Sequence, residues 1–337
     1  MSTVVKVDKD YSVLDSAAKS LREGSLVAFP TETVYGLGAN ALSDTAVKEI
    51  FIAKGRPQDN PLIVHVAKKE DIKKLVKEVT PNASKIIENL MPGPITIVLY
   101  KNETVPDVVT AGGATIAIRI PENEIARALI EKAGVPVAAP SANISGKPSP
   151  TKASHVKDDL DGKVSYIVDG GSCRVGLEST VIDLTVTPPQ ILRPGGVTHE
   201  VLAALLGEVR GYEKKENDTS SPKSPGMKYR HYAPKGDMTV FMGENIESAI
   251  NKEIKNHPDK NICVITAKNT EYNGAKVLFA GRTPEEYSKN LFNLLREADS
   301  LGADLIFAEF PFTEKGITTA LYNRIYKSCG GRVVICK

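Results

Sequence analysis

The chain has 337 residues, enough for two or three domains with sizeable cores, and its 41% hydrophobic and 25% charged residues are ordinary for a globular protein. A formal net charge of +2 excludes a global polycation, so any nucleic-acid contact would have to come from a local patch. The opening MSTVVKVDKDYSV lacks the apolar region of a secretory leader, no apolar run approaches the ~20 residues that span a bilayer, and the four cysteines (Cys173, Cys263, Cys329, Cys336) form no CxxC or zinc-finger spacing; a soluble, cytoplasmic protein with reduced, mostly buried thiols is expected.

Short apolar strands alternate with amphipathic helices from the start. Ser12 with Asp15 resembles an N-cap and its partner three residues on. Leu14, Ala17, Ala18 and Leu21 then share one helical face, and Gly24 supplies a stop. A buried strand at Leu26–Phe29 leads into a polar loop and a glycine-bearing turn. A second helix opens at Ser43, with Val47, Ile50 and Phe51 on one face, and ends at Gly55. Further strands read at Leu62–Val66, Ile95–Leu99, Thr115–Ile120, Val135–Ala139, Tyr166–Val168, Val181–Val186 and Ile191–Leu192. Their uneven spacing predicts a twisted mixed sheet rather than a clean βαβ repeat.

Composition shifts near residue 208, and Glu213–Gly226 (EKKENDTSSPKSPG) has the charge, Ser and Pro of a linker. A second α/β segment follows, with strands at Met238–Met242, Ile262–Thr266, Val277–Ala280, Leu305–Glu309 and Val333–Ile335. A helix at Pro284–Leu301 is opened by the capping box Thr283/Glu286 and carries a stripe of Tyr287, Leu291, Leu294, Leu295 and Ala298. The predicted organisation is an α/β catalytic domain at 1–207, a linker or lid at 208–235, and a smaller, doubly wound α/β domain at 236–337.

Polar constellations gather at the strand ends of the first domain, where open α/β sheets bind ligands. Thr31, Glu32 and Thr33 precede a glycine turn that lacks the third glycine of a dinucleotide fingerprint. Lys54 and Arg56 flank Gly55 at a helix end in a proline-stiffened loop. They either complement the helix dipole or hold a polyphosphate. His65 lies inside the apolar strand LIVHV, where a satisfied core histidine is the commoner reading. Arg119, in TIAIRIP, must meet a carboxylate or phosphate if buried: a structural salt bridge or a substrate carboxylate. The loop APSANISGKPSPT, with Ser141, Asn143 and Ser149, is either surface loop or a ligand cradle of small hydroxyl residues. GLEST at 176–180 and LRPGG at 192–196 close the set. No GxxxxGK[ST], kinase set, HExxH or GxSxG is present, so no protein nucleophile is evident. Catalysis would rest on positioning and charge stabilisation.

Taken together, PTETVYGLGANA (30–41), KGRPQDNPLIVHV (54–66), MPGPITIVL (91–99), TIAIRIP (115–121), PSANISGKPSPT (140–151), GLESTVIDL (176–184), ILRPGG (191–196) and the linker end SPGMKYRHYAP (224–234) resemble the YrdC-like threonylcarbamoyl-AMP synthase family in its long two-domain form. The resemblance implies that L-threonine, bicarbonate or CO2, and ATP give threonylcarbamoyl-adenylate and pyrophosphate, with Mg2+ held mainly by ATP phosphates rather than by protein. A separate transferase complex then modifies adenosine 37 of tRNA. It implies catalytic and phosphate roles for Lys54 and Arg56. The nucleotide site would be completed by Thr115, Ser141, Asn143, Ser149, Arg193 and, from a linker that folds over the site with Tyr229 and His231, by Tyr232. Threonine would be held by Thr31, His65, Arg119, the backbone at Ala139, and Ser179, with Arg119 on its carboxylate. Met91, where the family often has an aromatic, and Gly112–Ala114, in place of a bulkier stretch, depart from the pattern. Two other readings are a carbamoyl-adenylate module of hydrogenase maturation, whose zinc-finger and acylphosphatase segments are missing here, and a non-enzymatic RNA binder using Lys54, Arg56, Arg119, Lys147, Lys152 and Arg193.

Overall fold

A computed structural model describes residues 1–7, 11–213, 231–268 and 270–337. The linker stretch 214–230, with Tyr229, lies outside them. The described residues form two compact units: one holds Met1–Ser145, Ser149–Arg174 and 178–213, the other Gly146–Pro148, Val175–Leu177 and 231–337.

The first unit is built on a mixed sheet. Its strands are β1 (Thr3–Lys6), β2 (Val27–Phe29), β3 (Gly36–Asn40), β4 (Ile63–His65), β5 (Ile95–Tyr100), β6 (Thr115–Arg119), β7 (Val137–Ala138), β8 (Tyr166–Asp169), β9 (Thr180–Asp183) and β10 (Gln190–Arg193). Their order is β1-β8-β2-β3-β7-β4-β6-β5-β9-β10. β4 runs parallel to β6 in a register that sets His65 beside Arg119, whereas β5 is antiparallel to β6 and parallel to β9. The mixed sheet expected from the irregular strand spacing is therefore what forms.

Strand alternation distributes the core over both faces. Ala28 and Ala138 face a large cluster with Val47, Ile50 and Phe51 of the helix Asp44–Lys54 and Ile86 and Ile87 of the helix Pro81–Leu90. Their strand neighbours Val27, Phe29, Val137 and Ala139 face the opposite cluster, built with helices Asp15–Arg22 and Glu124–Ala133. The helix Asp44–Lys54 has the Ser43 cap expected of it, with Ser43 Oγ accepting from Ala46 N–H, and Gly55 closes it at φ 58° in the left-handed region. Its end delivers Lys54 to the site.

Two local expectations shift. The first α-helix begins at Asp15 after a 3-10 turn at Tyr11–Leu14, and its cap position, Leu14, makes no side-chain cap bond. The segment read as a glycine turn is the strand β3. A Cβ on Gly38 would stand 2.8 Å from Val137 Cγ1 and 2.9 Å from Phe29 Cε1, so the strand needs glycine in order to sit between β2 and β7.

The second unit is a five-stranded, all-parallel sheet: β11 (Asp237–Gly243), β12 (Ile262–Thr266), β13 (Lys276–Phe279), β14 (Leu305–Phe310) and β15 (Val333–Cys336), in the order β13-β12-β14-β11-β15. The helix Pro284–Ser300 opens on the expected Thr283/Glu286 capping box, and its expected stripe is buried. Helices Ile246–Asn256 and Ile317–Ser328 complete the α/β layer. All four cysteines are buried and unpaired. No helix among the described residues is long and apolar enough to cross a membrane.

Candidate active site

Arg119, the last residue of β6, is only 4% exposed. Its Nη1 donates to Thr33 Oγ1 at 2.9 Å and its Nε to the Gly93 carbonyl at 3.4 Å. Its Nη2 lies 2.7 Å from Glu32 Oε1, and Glu32 is also 4% exposed. That contact is a close ion pair without hydrogen-bond alignment: both Glu32 oxygens and Arg119 Nη2 lack a hydrogen-bond partner among the described residues, as does Nδ1 of the neighbouring His65. Buried polar groups left unmatched are costly. Glu32, Arg119 and His65 thus form one buried polar wall whose unmatched atoms include both donors and acceptors. Burial, and then the Arg119 charge, lower the His65 pKa to about 3, so its imidazole is neutral at physiological pH. Thr31 builds the turn that carries Glu32 and Thr33. Its Oγ1 donates to the Val34 carbonyl at 2.6 Å and accepts from the Thr33 and Val34 amides at 3.1 and 3.2 Å, which fixes Glu32 and Thr33 in a tight turn.

A second group forms around the helix-ending Lys54, which is 2% exposed. Its Nζ donates to the carbonyls of Ser141 (2.5 Å) and Asn143 (2.6 Å), and Ser141 Oγ donates to Asn143 Oδ1 at 2.6 Å. Arg56 is partly exposed, with Nη2 donating to the Asn60 and Pro61 carbonyls at 3.2 Å each. These bonds aim two cations by means of neutral carbonyl dipoles.

A third group joins Arg193 to Ser179. Arg193 Nε donates to the Ser179 carbonyl and Nη2 to Ser179 Oγ, each at 3.1 Å, and Ser179 Oγ lies 2.7 Å from Thr96 Oγ1. Gly195 permits this approach, because a Cβ there would stand 2.3 Å from Thr180 N and 2.4 Å from the Glu178 carbonyl oxygen. Ser149 Oγ donates to Glu178 Oε1 at 2.6 Å.

The structure thus brings Thr31, His65 and Arg119 together, Lys54 with Ser141 and Asn143, and Arg193 with Ser179. Ala139 stands in the sheet, its amide donating to the Ile63 carbonyl at 2.9 Å. Thr115 is not drawn into these networks. It opens β6, four residues before Arg119 and therefore about 13 Å away along the strand. Tyr232 packs within the second unit, its ring 5.1 Å from that of Phe292 and under the Arg324 guanidinium. Met91 is buried in the apolar core. Of the six cations named for an RNA-binding face, Lys54, Arg119 and Arg193 are buried, Arg56 is partly exposed, and Lys147 and Lys152 are exposed. Glu32, Thr33 and Glu178 lay in segments the sequence singled out but were given no role, and Thr96 was passed over; all four bond or pair with the candidate residues. A charged residue between two threonines at a strand end was the one signal available for the first. No cluster of three or more His, Cys, Asp or Glu able to hold a metal occurs among the described residues.

A sequence model of the family described as "Telomere recombination" matches residues 19–195, and one described as "Threonylcarbamoyl-AMP synthase, C-terminal domain" matches residues 197–330. The chain is 49% identical to the threonylcarbamoyl-AMP synthase of Pyrococcus abyssi and 43% identical to that of Bacillus subtilis, over 94% of this chain and 94% and 93% of those proteins. The chain belongs to the threonylcarbamoyl-AMP synthase family. The solved structure of Pyrococcus abyssi Sua5 complexed with L-threonine superposes on it with a TM-score of 0.95 at 46% identity, covering 100% of both chains. Escherichia coli YciO covers 58% of this chain and 96% of its own, with a TM-score of 0.53 at 26% identity, so its likeness is to part of this fold.

Proposed function

We propose that this chain makes threonylcarbamoyl-adenylate from L-threonine, bicarbonate or CO2, and ATP, releasing pyrophosphate. The observation that carries the reading is the buried Arg119–Glu32–His65 wall with its unmatched donors and acceptors, in a chain so similar to a structure that holds L-threonine. In the reaction the threonine nitrogen and CO2 give a carbamate. A carbamate oxygen then bonds to the α-phosphorus while the bond to the β-phosphate bridging oxygen breaks, and pyrophosphate leaves. No enzyme nucleophile is needed. The protein holds two anions in line and stabilises the charge that develops on the leaving group.

Arg119 receives the threonine carboxylate, which gives its Nη2 the aligned acceptor it lacks. Thr31, the neutral His65, the backbone at Ala139, and Ser179 surround the rest of the amino acid. Arg193, tied to Ser179, lies where the amino-acid and nucleotide subsites meet. Lys54 and Arg56 face the phosphates, and the Ser141–Asn143 loop that Lys54 anchors, with Ser149, lines the nucleotide. Thr115 and Tyr232 complete the nucleotide contacts in this scheme. Mg2+ enters with ATP as its phosphate complex, the usual habit of a hard cation that keeps phosphate and water oxygens. The product is consumed in the cytoplasm by a transferase complex acting on tRNA.

The test is pyrophosphate release from ATP with and without L-threonine and bicarbonate, with L-serine as competitor and Arg56→Ala as control. Release that requires both co-substrates and is lost in the variant is expected. Release indifferent to threonine would overturn the assignment of the amino-acid substrate.

A further inference from the structure

Glu32 is a buried carboxylate whose two oxygens have no hydrogen-bond donor, although Arg119 lies 2.7 Å away. A structural counter-ion in so dry a place would be expected to align with the guanidinium and take several donors. Here Oε1 faces Arg119 Nη2 as an unaligned ion pair, and Oε2 has no donor. An anion and a cation side by side, each with hydrogen-bonding capacity to spare, match a zwitterion whose ammonium and carboxylate are separated by one carbon. That is an α-amino acid in its solution form.

We propose that Glu32 is a catalytic residue that binds the α-ammonium of the amino-acid substrate and takes its proton, freeing the amine for carbamate formation. The inference rests on the proposed function and deepens it. A threonine ammonium has no lone pair and cannot attack carbon. With the substrate carboxylate taking over Arg119, the guanidinium no longer holds Glu32 ionised, and proton transfer converts the ammonium–carboxylate pair into an amine and a carboxylic acid. The nitrogen then attacks bicarbonate: the C–N bond forms, the C–OH bond breaks, and the departing hydroxide takes an N–H proton to leave as water. Glu32 keeps one proton, which it sheds to solvent before the next turnover.

The other titratable groups around Glu32 do not compete for this role. Arg119 is a cation. Burial and Arg119 leave His65 too weak a base to hold a proton. Burial pushes the Cys173 thiol, which also feels the Glu32 and Arg119 charges, up to about 12, so it stays protonated. Tyr35, near Cys173 and Asp169, is likewise raised, chiefly by burial.

The experiment compares wild type, Glu32→Gln and Glu32→Asp by calorimetric titration with three ligands: L-threonine, L-threoninamide (no carboxylate) and 3-hydroxybutanoate (no amine). Pyrophosphate release is followed against pH in parallel. Loss of a charge-assisted contact in Glu32→Gln should weaken L-threonine and L-threoninamide by about tenfold to a hundredfold. The same variant should hold 3-hydroxybutanoate as well as wild type or better, because Arg119 has lost its rival anion. Its rate should climb with pH toward the range where free amine exists, and Glu32→Asp should partly restore the wild-type profile. Equal losses for threonine and 3-hydroxybutanoate would mark Glu32 as merely structural and overturn the proposal. Weakened threonine with an unshifted pH profile would overturn the proton transfer. If Glu32→Gln does not fold, the wild type decides: 3-hydroxybutanoate binding as tightly as threonine sinks the idea, and binding at least about tenfold weaker supports it. Failure of the proposed function would show separately, as wild-type pyrophosphate release that ignores threonine.

Discussion

Replacing Arg119 by Met should unbalance the first unit more than removing any apolar side chain near it. Arg119 and Glu32 are each 4% exposed and 2.7 Å apart. In such a pair the attraction and the cost of desolvating two ions nearly cancel, yet deleting one partner strands the other, at a cost of about 3–5 kcal/mol. Arg119→Met also deprives Thr33 Oγ1 and the Gly93 carbonyl of a donor. Removing both charges, in Glu32→Leu/Arg119→Met, should return stability to within about 2 kcal/mol of wild type, because apolar residues of similar volume replace a buried ion pair with little loss. Two compact units make global unfolding a poor two-state observable. The assay is therefore native-state hydrogen exchange in the segment 115–120. A loss of about 4 kcal/mol would speed exchange there roughly a thousandfold. Pyrophosphate release should be abolished in both the single and the double variant, which separates stability from chemistry. A double variant as unstable as Arg119→Met, or an Arg119→Met that costs under about 1 kcal/mol, would refute the view of a nearly balanced buried pair.

Other outcomes follow from the same geometry. Lys54→Met leaves the Ser141 and Asn143 carbonyls without their charged donor; it should cost about 2–4 kcal/mol and abolish nucleotide binding, as read by thermal melts with and without ATP. Gly195→Ala drives a Cβ into the backbone of residues 178–180; the enforced shift of Ser179 and Arg193 should lower kcat/KM for threonine by roughly a hundredfold while the fold persists by circular dichroism. His65 is lowered from 6.5 to about 3 on folding. The unfolded chain therefore takes up a proton as pH falls below 6.5 while the folded chain does not. Stability should decline from there toward pH 3, by roughly 2 kcal/mol already at pH 5, and His65→Gln should lack that component in hydrogen exchange at pH 7 and pH 5.

What could be read from the sequence depended on whether a residue's signal was local. Arg119 stands out because a cation interrupts an apolar strand, and a strand's burial is legible from composition. Glu32 carries no such mark. It sits in a polar loop, and polar loops are normally solvated. Only the docking of that loop against the end of β6, a contact 87 residues away in sequence, makes its carboxylate dry. The strand β3 was unreadable for a related reason: Gly36-Leu37-Gly38 has turn composition, and the need for glycine comes from Phe29 and Val137, whose positions are set by tertiary packing. The capping boxes and caps at Ser43 and Thr283 were readable because their partners lie three residues away. Helices Ile246–Asn256 and Ile317–Ser328 open without a side-chain cap bond, so no local start signal announced them.

The three polar groups share one physical device, and the departure from it carries information. Lys54 donates to the Ser141 and Asn143 carbonyls, Arg56 to those of Asn60 and Pro61, and Arg193 to that of Ser179. A carbonyl dipole orients a cation without cancelling its charge, so in the proposed reaction these bonds would hold the cations in place as charge moves onto the leaving pyrophosphate. Arg119 also uses a carbonyl, that of Gly93, and its Nη2 stands 2.7 Å from the Glu32 carboxylate. If its task were only to hold an anion, a buried competing carboxylate would work against it. The arrangement becomes economical when the ligand brings both charges, because each end of the zwitterion then meets the partner the protein has left open, and no net charge is added to a dry site.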